Sequence, residues 1–391
     1  MIKHLYALIA LSLSGSAFAE TNYEIRMPTG AVAASASTVT SGFTFSEIAP
    51  SGYSVFLIKG GSLYASGHGN NGALGTGDTT SLNGGFVDIG FPGIAKIADD
   101  PIQVMSNYFI DTSGKLWSAG KNNYGQLGLN NTSDAYTFSD TGLTDVIDVA
   151  KGYDHALAIK SDGSVWASGR NANGQLGDGT TTDRYVFTPT GLTGAQKVVA
   201  GQSFSLVLKT DGSLYGTGLS SNGQLGSGTT SRTTFTYQTM NVADVVTGGY
   251  HTIILQTNGN TFVSGRNDWG QLGNGSTAHN TSFQNTGISD VKKVAAQHGG
   301  TFILKNNGDL YGAGYNSSYQ MGLNNSGSVT SFSLISSNVN DIKASTGGAF
   351  LEMSDGAIKV FGMPAYASFN NGSSVSVQTP TAIDTSEIVN W

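Results

Sequence analysis

Two stretches of the chain are nearly identical: residues 169–179 read GRNANGQLGDG and residues 265–275 read GRNDWGQLGNG. Residues 121–130, KNNYGQLGLN, and residues 220–228, SSNGQLGSG, repeat the same Gly-Gln-Leu-Gly core. Recurrence of one motif along a chain is the signature of a repeat architecture, which determines the whole fold. The chain is therefore predicted to consist of repeated structural units.

The period is set by a tight turn and a glycine that follows it. In each copy a two-residue turn such as Asp162-Gly163 precedes an apolar segment, and another glycine comes a fixed distance after the turn. The seven marker glycines are Gly67, Gly120, Gly169, Gly218, Gly265, Gly314 and Gly362. Their nearly even spacing is that of the four-stranded units found in propellers.

Each copy reads as four short strands. In the third copy they are residues 145–152, 155–160, 164–169 and 184–191. Asp-Gly and Asn-Gly pairs between alternating apolar residues favour two-residue hairpins, because both central positions take positive φ. No segment has a helical period. The chain is predicted to be a series of antiparallel four-stranded meanders.

The predicted fold class is all-β, a seven-bladed β-propeller of four-stranded antiparallel blades. A single meander leaves both faces exposed, so successive copies must stack, and a ring of four-stranded units of this length is a propeller. We assign residues 44–391 to the propeller and residues 20–43 to an N-terminal strand and strap. Residues 23–30 and 375–382 are candidates for an outer strand, and residues 43–50 and 385–391 for an inner one. We expect a strand from one end to complete a blade begun at the other.

The repeats resemble those of the regulator of chromosome condensation (RCC1-like) family. The resemblance rests on the tandem Gly-Gln-Leu-Gly loops, the Asp-Gly turns, and segments such as GYDHALAIK at 152–160. It covers about residues 44–383 and implies a seven-bladed propeller. It also implies a protein-interaction platform: the best-known activity in the family is nucleotide exchange on a small GTPase, and a secreted bacterial relative inhibits β-lactamases. No inhibitor-specific residue can be matched here.

Residues 1–19 have the pattern of a secretory signal peptide. Lys3 is followed by an apolar run from Leu5 to Leu13 and by small residues at 17 and 19. We expect cleavage after Ala19 and a secreted or periplasmic, bacterial-type protein. Loss of Lys3 would change the net charge from −7 to −8, which disfavours nucleic acid as a partner. We expect no membrane insertion, and we expect a monomer.

The sequence predicts neither an enzyme nor a cofactor or metal site. GHGNNG at 67–72 has the glycine spacing of a dinucleotide loop, but no helix is predicted behind it to hold a pyrophosphate. His155 and His251 occupy the same repeat position two blades apart, so we interpret both as structural, hydrogen-bonded strand residues. The chain has no cysteine. We expect no catalytic, cofactor-binding or metal-binding residues.

Candidate binding residues lie where the repeat varies on an exposed edge. The first and third turns of a meander open on the same face of a propeller, and in this chain they carry Tyr, Trp and Arg, which are frequent in interface hot spots. The alternative is that these side chains only fill gaps between loops. The candidates are Tyr53, Tyr124, Tyr153, Arg170, Tyr250, Arg266, Trp269, Tyr315 and Tyr366.

The leading functional hypothesis is a noncatalytic extracytoplasmic scaffold that binds a protein partner through this face. A glycan-binding protein or an enzyme that uses the face or the channel is the alternative. Guanine-nucleotide exchange is the third hypothesis, and the signal peptide argues against it because partners of that kind are cytosolic or nuclear.

Overall fold

The computed structural model describes residues 44–52, 54–98, 102, 105–362 and 376–383. These residues form 28 β-strands and two 3-10 helices, Phe45–Glu47 and Asn70–Gly72. Neither helix, and no other helix in these ranges, has the length and apolar character needed to cross a membrane. The strands form seven separate four-stranded antiparallel sheets.

The first two strands of each sheet form its inner half. The first strands are β1 Ile48–Ser51, β5 Ile94–Ile97, β9 Val146–Lys151, β13 Ala195–Ala200, β17 Val242–Thr247, β21 Val291–Gln297 and β25 Val339–Ser345. The second strands are β2 Ser54–Lys59, β6 Ser106–Asp111, β10 His155–Lys160, β14 Phe204–Lys209, β18 His251–Gln256, β22 Gly300–Lys305 and β26 Gly348–Met353.

The last two strands form the outer half. The third strands are β3 Ser62–Gly67, β7 Leu116–Gly120, β11 Val165–Gly169, β15 Leu214–Gly218, β19 Thr261–Gly265, β23 Leu310–Gly314 and β27 Ile358–Gly362. The fourth strands are β4 Leu82–Pro92, β8 Ala135–Asp140, β12 Arg184–Pro189, β16 Arg232–Thr239, β20 Asn280–Asn285, β24 Val329–Ser336 and β28 Val377–Ala382.

Every described sheet is built from four consecutive strands. This confirms the predicted seven-bladed propeller and its four-stranded blades. The predicted exchange of a strand between the two ends of the chain is wrong for these residues, because β28 completes blade seven and β1 begins blade one. The other two terminal candidates, residues 23–30 and 385–391, lie outside the described residues.

The hydrophobic core lies between the blades. In the interface between blades three and four, Leu157 and Val165 pack with Val198 and Val207, and all four are almost fully buried. Two pleated faces that meet in this way remove apolar side chains from water on both sides. The ring closes by the same interaction, since residues of blade one (Ile48, Val55, Leu57, Tyr64) pack with Phe350, Ile358, Val360 and Ile383.

The last glycine of each Gly-Gln-Leu-Gly loop packs against a phenylalanine of the next blade. Gly177 has φ +71°, in the left-handed region, and a Cβ built on it would lie 2.4 Å from the ring of Phe235 in the next blade's outer strand. Only glycine combines that backbone conformation with so close an approach. Equivalent contacts recur in the pairs Gly75 and Phe138, Gly128 and Phe187, Gly226 and Phe283, and Gly273 and Phe332.

The first strands line a central channel with a cavity of about 540 Å³. At one position of these strands lysine and aspartate alternate from blade to blade. Their side chains form ion pairs across every second blade junction: Lys96 with Asp148 at 2.5 Å, Lys197 with Asp244 at 2.6 Å, and Lys293 with Asp341 at 2.6 Å. These three ion pairs therefore hold neighbouring blades in register.

Replacing Gly177 by alanine should destabilise the ring far more than the same change at Gly179. Both residues have positive φ, but a Cβ on Gly179 would come no closer than 3.7 Å to another heavy atom. We expect a loss of about 1 kcal/mol for Gly179→Ala, from backbone strain alone. Gly177→Ala should lose about 2–4 kcal/mol, because overpacking against Phe235 is added. Denaturant unfolding of both variants measures the difference. Equal losses of unfolding free energy would show that the close contact between Gly177 and Phe235 does not stabilise the ring.

Candidate functional site

In blades two to six the first and third turns are joined by a main-chain hydrogen bond. The residue after the marker glycine donates its N–H to a carbonyl of the first turn: Lys121 to Met105 at 2.8 Å, Arg170 to Asp154 at 2.8 Å, and Arg266 to Tyr250 at 2.9 Å. Tyr315 bonds Gly299 in the same way at 2.8 Å. Side chains from the two turns therefore lie side by side on one rim of the ring.

The repeated glutamine holds the third turn in one shape whatever side chain the turn carries. Gln126 Oε1 accepts the main-chain N–H of Tyr124 at 2.9 Å, and Gln271 Oε1 accepts that of Trp269 at 3.0 Å. The same bond holds Asn173 and Asn222 in blades three and four. Since only the backbone is engaged, the side chain at this position can vary without loss of the turn.

One group of side chains, the blade 2/3 cluster, consists of Lys121, Tyr124, Tyr153, Asp154 and Arg170. Lys121 Nζ lies 5.1 Å from the ring centroid of Tyr153, and the Arg170 guanidinium lies 4.9 Å from that of Tyr124. The Asp154 carboxylate, almost fully buried, lies between the two cations, 3.0 Å from Lys121 Nζ and 3.6 Å from Arg170 Nη1. Cation–π contact and ion pairing together hold both cations in place.

A second group, the blade 5/6 cluster, is centred on Arg266. Its guanidinium lies 5.0 Å from the ring centroid of Trp269 and 5.5 Å from that of Tyr250. Arg266 Nε also donates to Asp268, whose other oxygen lies 2.8 Å from His279 Nε2. The arginine therefore lies between two aromatic rings and is oriented by a carboxylate.

Trp269 lies across the main chain of the next blade. A Cβ built on Gly299 would be 2.5 Å from the indole ring, so the absence of a side chain at 299 makes room for it. The indole centroid is 5.2 Å from the Tyr315 ring and 6.1 Å from the His298 ring. The partly exposed aromatic surface thus continues from Tyr250 through Trp269 to Tyr315, which is 37% exposed.

The tyrosines of the two clusters keep their polar ends free. Within the described part of the chain, the hydroxyl groups of Tyr124, Tyr153, Tyr250 and Tyr315 make no hydrogen bond. Buried Tyr108, by contrast, donates its hydroxyl to Gln126 O at 2.7 Å. Partial burial raises the pKa of Tyr250. Nearby Arg266 lowers this pKa and nearby Tyr153 raises it, and the net shift is upward. The Tyr250 phenol therefore remains a neutral donor at physiological pH.

The structure brings together seven of the nine candidate residues, in two clusters. Tyr124, Tyr153 and Arg170 lie in the blade 2/3 cluster, while Tyr250, Arg266, Trp269 and Tyr315 lie in the blade 5/6 cluster. Tyr53 and Tyr366 lie outside the described residues. Blade four, between the clusters, carries Leu219 and Asn222 at the same turn positions. Whether these residues bind a partner stays a prediction.

Sequence reasoning missed Asp154, which organises the blade 2/3 cluster. A comparison of equivalent repeat positions could have indicated Asp154, because the other copies hold Met105, Ser203, Tyr250 and Gly299 there. A carboxylate found in one of these five copies is not a shared element of the scaffold. Arg170 belongs to the same blade as Asp154, but the pairing of Asp154 with Lys121 depends on the stacking of blades two and three, which sequence spacing does not show.

The equivalent strand histidines are buried and structural. His155 Nε2 is 2.8 Å from Ser205 Oγ, and His251 Nε2 is 3.1 Å from Thr301 Oγ1. Both hydroxyls donate their own protons to main-chain carbonyls, Gln175 O and Gln271 O, so each imidazole donates from Nε2. Burial lowers the pKa of both histidines to about 3, and both are neutral at pH 7.

These histidines should make the protein less stable as the pH falls below about 6.5. The unfolded chain then takes up protons near the normal pKa, whereas the folded chain does not until the pH reaches about 3. Between pH 7 and pH 5 each histidine should remove about 2 kcal/mol from the free energy of unfolding. Phenylalanine occurs naturally at the same position in blade four, as Phe204.

The double variant His155→Phe and His251→Phe should therefore lose most of this pH dependence. His298, whose pKa is also lowered by burial, should leave a smaller residual slope. Urea unfolding at pH 7 and pH 5 provides the measurement. The same slope in the variant and the wild type would show that the buried histidines are not responsible.

No metal centre or nucleotide loop is evident in the described ranges. No three His, Asp or Glu side chains converge there on one point. GHGNNG at 67–72 runs from the end of β3 into the short 3-10 helix Asn70–Gly72, which offers no helix N-terminus for a phosphate. The chemistry of the rim is therefore that of stacked rings, cations and hydroxyl groups.

Comparisons with protein families identify the repeat. Residues 113–159 and 162–208 match the model of the Regulator of chromosome condensation (RCC1) repeat. Residues 146–175 and 195–224 match a second model of that repeat. The chain is thus a seven-bladed β-propeller with RCC1 repeats between residues 113 and 224, which confirms the resemblance for that part. Comparison with curated protein sequences gives no match.

Solved structures show the same fold at low sequence identity. Yeast RCC1 (Prp20) bound to Kap60 has a TM-score of 0.72 at 17% identity, over 88% of this chain and 89% of that chain. Prp20p from Saccharomyces cerevisiae, described with its binding to Gsp1p and histones, has a TM-score of 0.66 at 20% identity, over 78% and 80%. Human WBSCR16 has a TM-score of 0.67 at 18% identity, over 80% and 86%.

Proposed function

We propose that this protein is a noncatalytic, extracytoplasmic scaffold that binds a protein partner through the rim formed by its first and third turns. The observation that supports this most is the state of the rim side chains. Aromatic rings and cations are held by stacking, while four tyrosine hydroxyls keep their hydrogen-bonding capacity. Rigid aromatic and arginine side chains with free polar ends lose little entropy on binding.

The repeat architecture favours binding over catalysis. In blades two to six a glutamine holds the third turn by the same bond, and no described side chain of the blade 2/3 and 5/6 clusters is a serine, threonine or cysteine nucleophile. Solved propellers of similar fold include one bound to Kap60 and one described with Gsp1p and histones as binding partners.

Replacing Trp269 by alanine should abolish partner capture without unfolding the ring. Truncation of a hot-spot residue costs about 2 kcal/mol or more, which is about a thirtyfold loss of affinity. The measurement is quantitative mass spectrometry of proteins retained from periplasm and culture medium by the mature protein, together with its Tm. The matched control is Tyr237→Ala, an aromatic that is 52% exposed on outer strand β16 and packs on Tyr215.

A reproducible partner retained by the wild type and Tyr237→Ala, and lost with Trp269→Ala at an unchanged Tm, supports the proposal. A large drop in Tm for Trp269→Ala would mean that the indole is a packing residue. Capture that survives the substitution, or retention of cell-wall glycans alone, would contradict a protein-binding rim.

The extracytoplasmic location is proposed from the pattern of residues 1–19. Lys3, the apolar run and the small residues before Glu20 are the parts of a cleavable signal. Expressed as the full chain in a bacterium, the protein should be recovered from the periplasm or the medium with Glu20 as its first residue, as N-terminal mass spectrometry would show. An intact N-terminus in the cytoplasmic fraction would reject the location.

A further inference from the structure

The blade 2/3 cluster contains an arginine whose donors are unused. Within the described ranges, the Arg170 guanidinium makes no hydrogen bond; it stacks on Tyr124 and lies 3.6 Å from the Asp154 carboxylate. The other arginines of these ranges donate hydrogen bonds to protein atoms: Arg184 to Asp178 at 2.7 Å, Arg232 to Thr230 O at 3.2 Å, and Arg266 to Asp268. Arg170 is 39% exposed at its side chain. The N–H donors of the Arg170 guanidinium are thus positioned by Tyr124 and Asp154 and are partly exposed to solvent.

Lys121 and Arg170 share a single carboxylate, that of Asp154, which is 6% exposed at its side chain. Asp154 therefore holds both cations in position from below. Two further carboxylates lie next to the cations along the chain: Asp134 accepts the main-chain N–H of Asn122 at 2.9 Å, and Asp183 accepts that of Asn171 at 2.7 Å. These carboxylates and the net charge of −7 disfavour a ligand of high negative charge.

We infer that the Lys121, Asp154 and Arg170 group, flanked by the Tyr124 and Tyr153 rings, is a subsite for one carboxylate of the partner, an Asp or Glu side chain. This inference rests on the proposed function of the rim. A planar carboxylate matches the guanidinium edge in a bidentate pair. A phosphate dianion would bring a second negative charge close to Asp154, Asp134 and Asp183, so a singly charged carboxylate is favoured.

Selection of random peptides by display on the immobilised mature protein tests the subsite. Four targets are used: the wild type, Arg170→Gln, Trp269→Ala, and Arg184→Gln as the control, in which the lost arginine is already paired with Asp178. Acidic residues should be enriched in peptides selected on the wild type and on Arg184→Gln, and not on Arg170→Gln. Tm values establish that each variant is folded.

One selected peptide then gives the interaction directly. Replacing its acidic residue by the amide should weaken binding to the wild type about tenfold, as expected for a hydrogen bond to a charged group. On Arg170→Gln the same replacement should change the affinity less than about twofold, because the arginine that binds the carboxylate is already gone. Arg170→Lys, which keeps the charge without the planar edge, should restore only part of the affinity.

Failure of the subsite and failure of the rim give different results. Peptides that need Trp269 but show no acidic preference, or the same preference on Arg170→Gln, would overturn the carboxylate subsite and leave the rim intact. Enrichment of basic peptides would overturn it as well. Selection that yields no peptide sensitive to Trp269→Ala would overturn both proposals.

Discussion

The ring depends on the packing of each blade against the next, and at five blade junctions a left-handed glycine contacts a phenylalanine of the next blade. At these junctions the third turn packs on the next blade. The aromatic ring of Phe235, or of the equivalent phenylalanine, lies against the main chain at Gly177 or at the equivalent glycine. This contact adds to the aliphatic packing between blades, to which strands of both halves contribute, such as Leu157 of β10 and Val165 of β11. The repeated Gly-Gln-Leu-Gly motif is thus the inter-blade joint.

This joint explains why the rim can vary. Glutamine fixes the third turn through a main-chain N–H, leucine is buried between sheets, and glycine receives the phenylalanine. None of these contacts uses the side chain two positions before the glutamine, which is Asn173 in one copy and Trp269 in another. Stability and recognition are therefore carried by different residues of the same loop, and a change in one need not affect the other.

Charge is arranged differently in the channel and on the rim. In the channel, lysines and aspartates alternate and pair across blade junctions, so they stabilise the ring and leave no net charge in those pairs. On the rim, cations lie over aromatic rings, and one carboxylate serves two of them. A rim on which Arg170 keeps unused donors is well suited to a partner.

The sequence by itself determined the seven blades, their four strands and the face on which the variable turns lie, because period, turn glycines and strand alternation are local properties. It also gave Tyr124, Trp269 and the other aromatic residues as candidates, since a comparison of the repeat copies shows where one copy differs from the others. Only the tertiary structure decided that Arg170 stacks on Tyr124, that Asp154 joins Lys121 to Arg170, and that Gly299 makes room for Trp269. Each of these contacts joins neighbouring blades, and the packing angle between sheets, which spacing does not encode, sets which side chains meet.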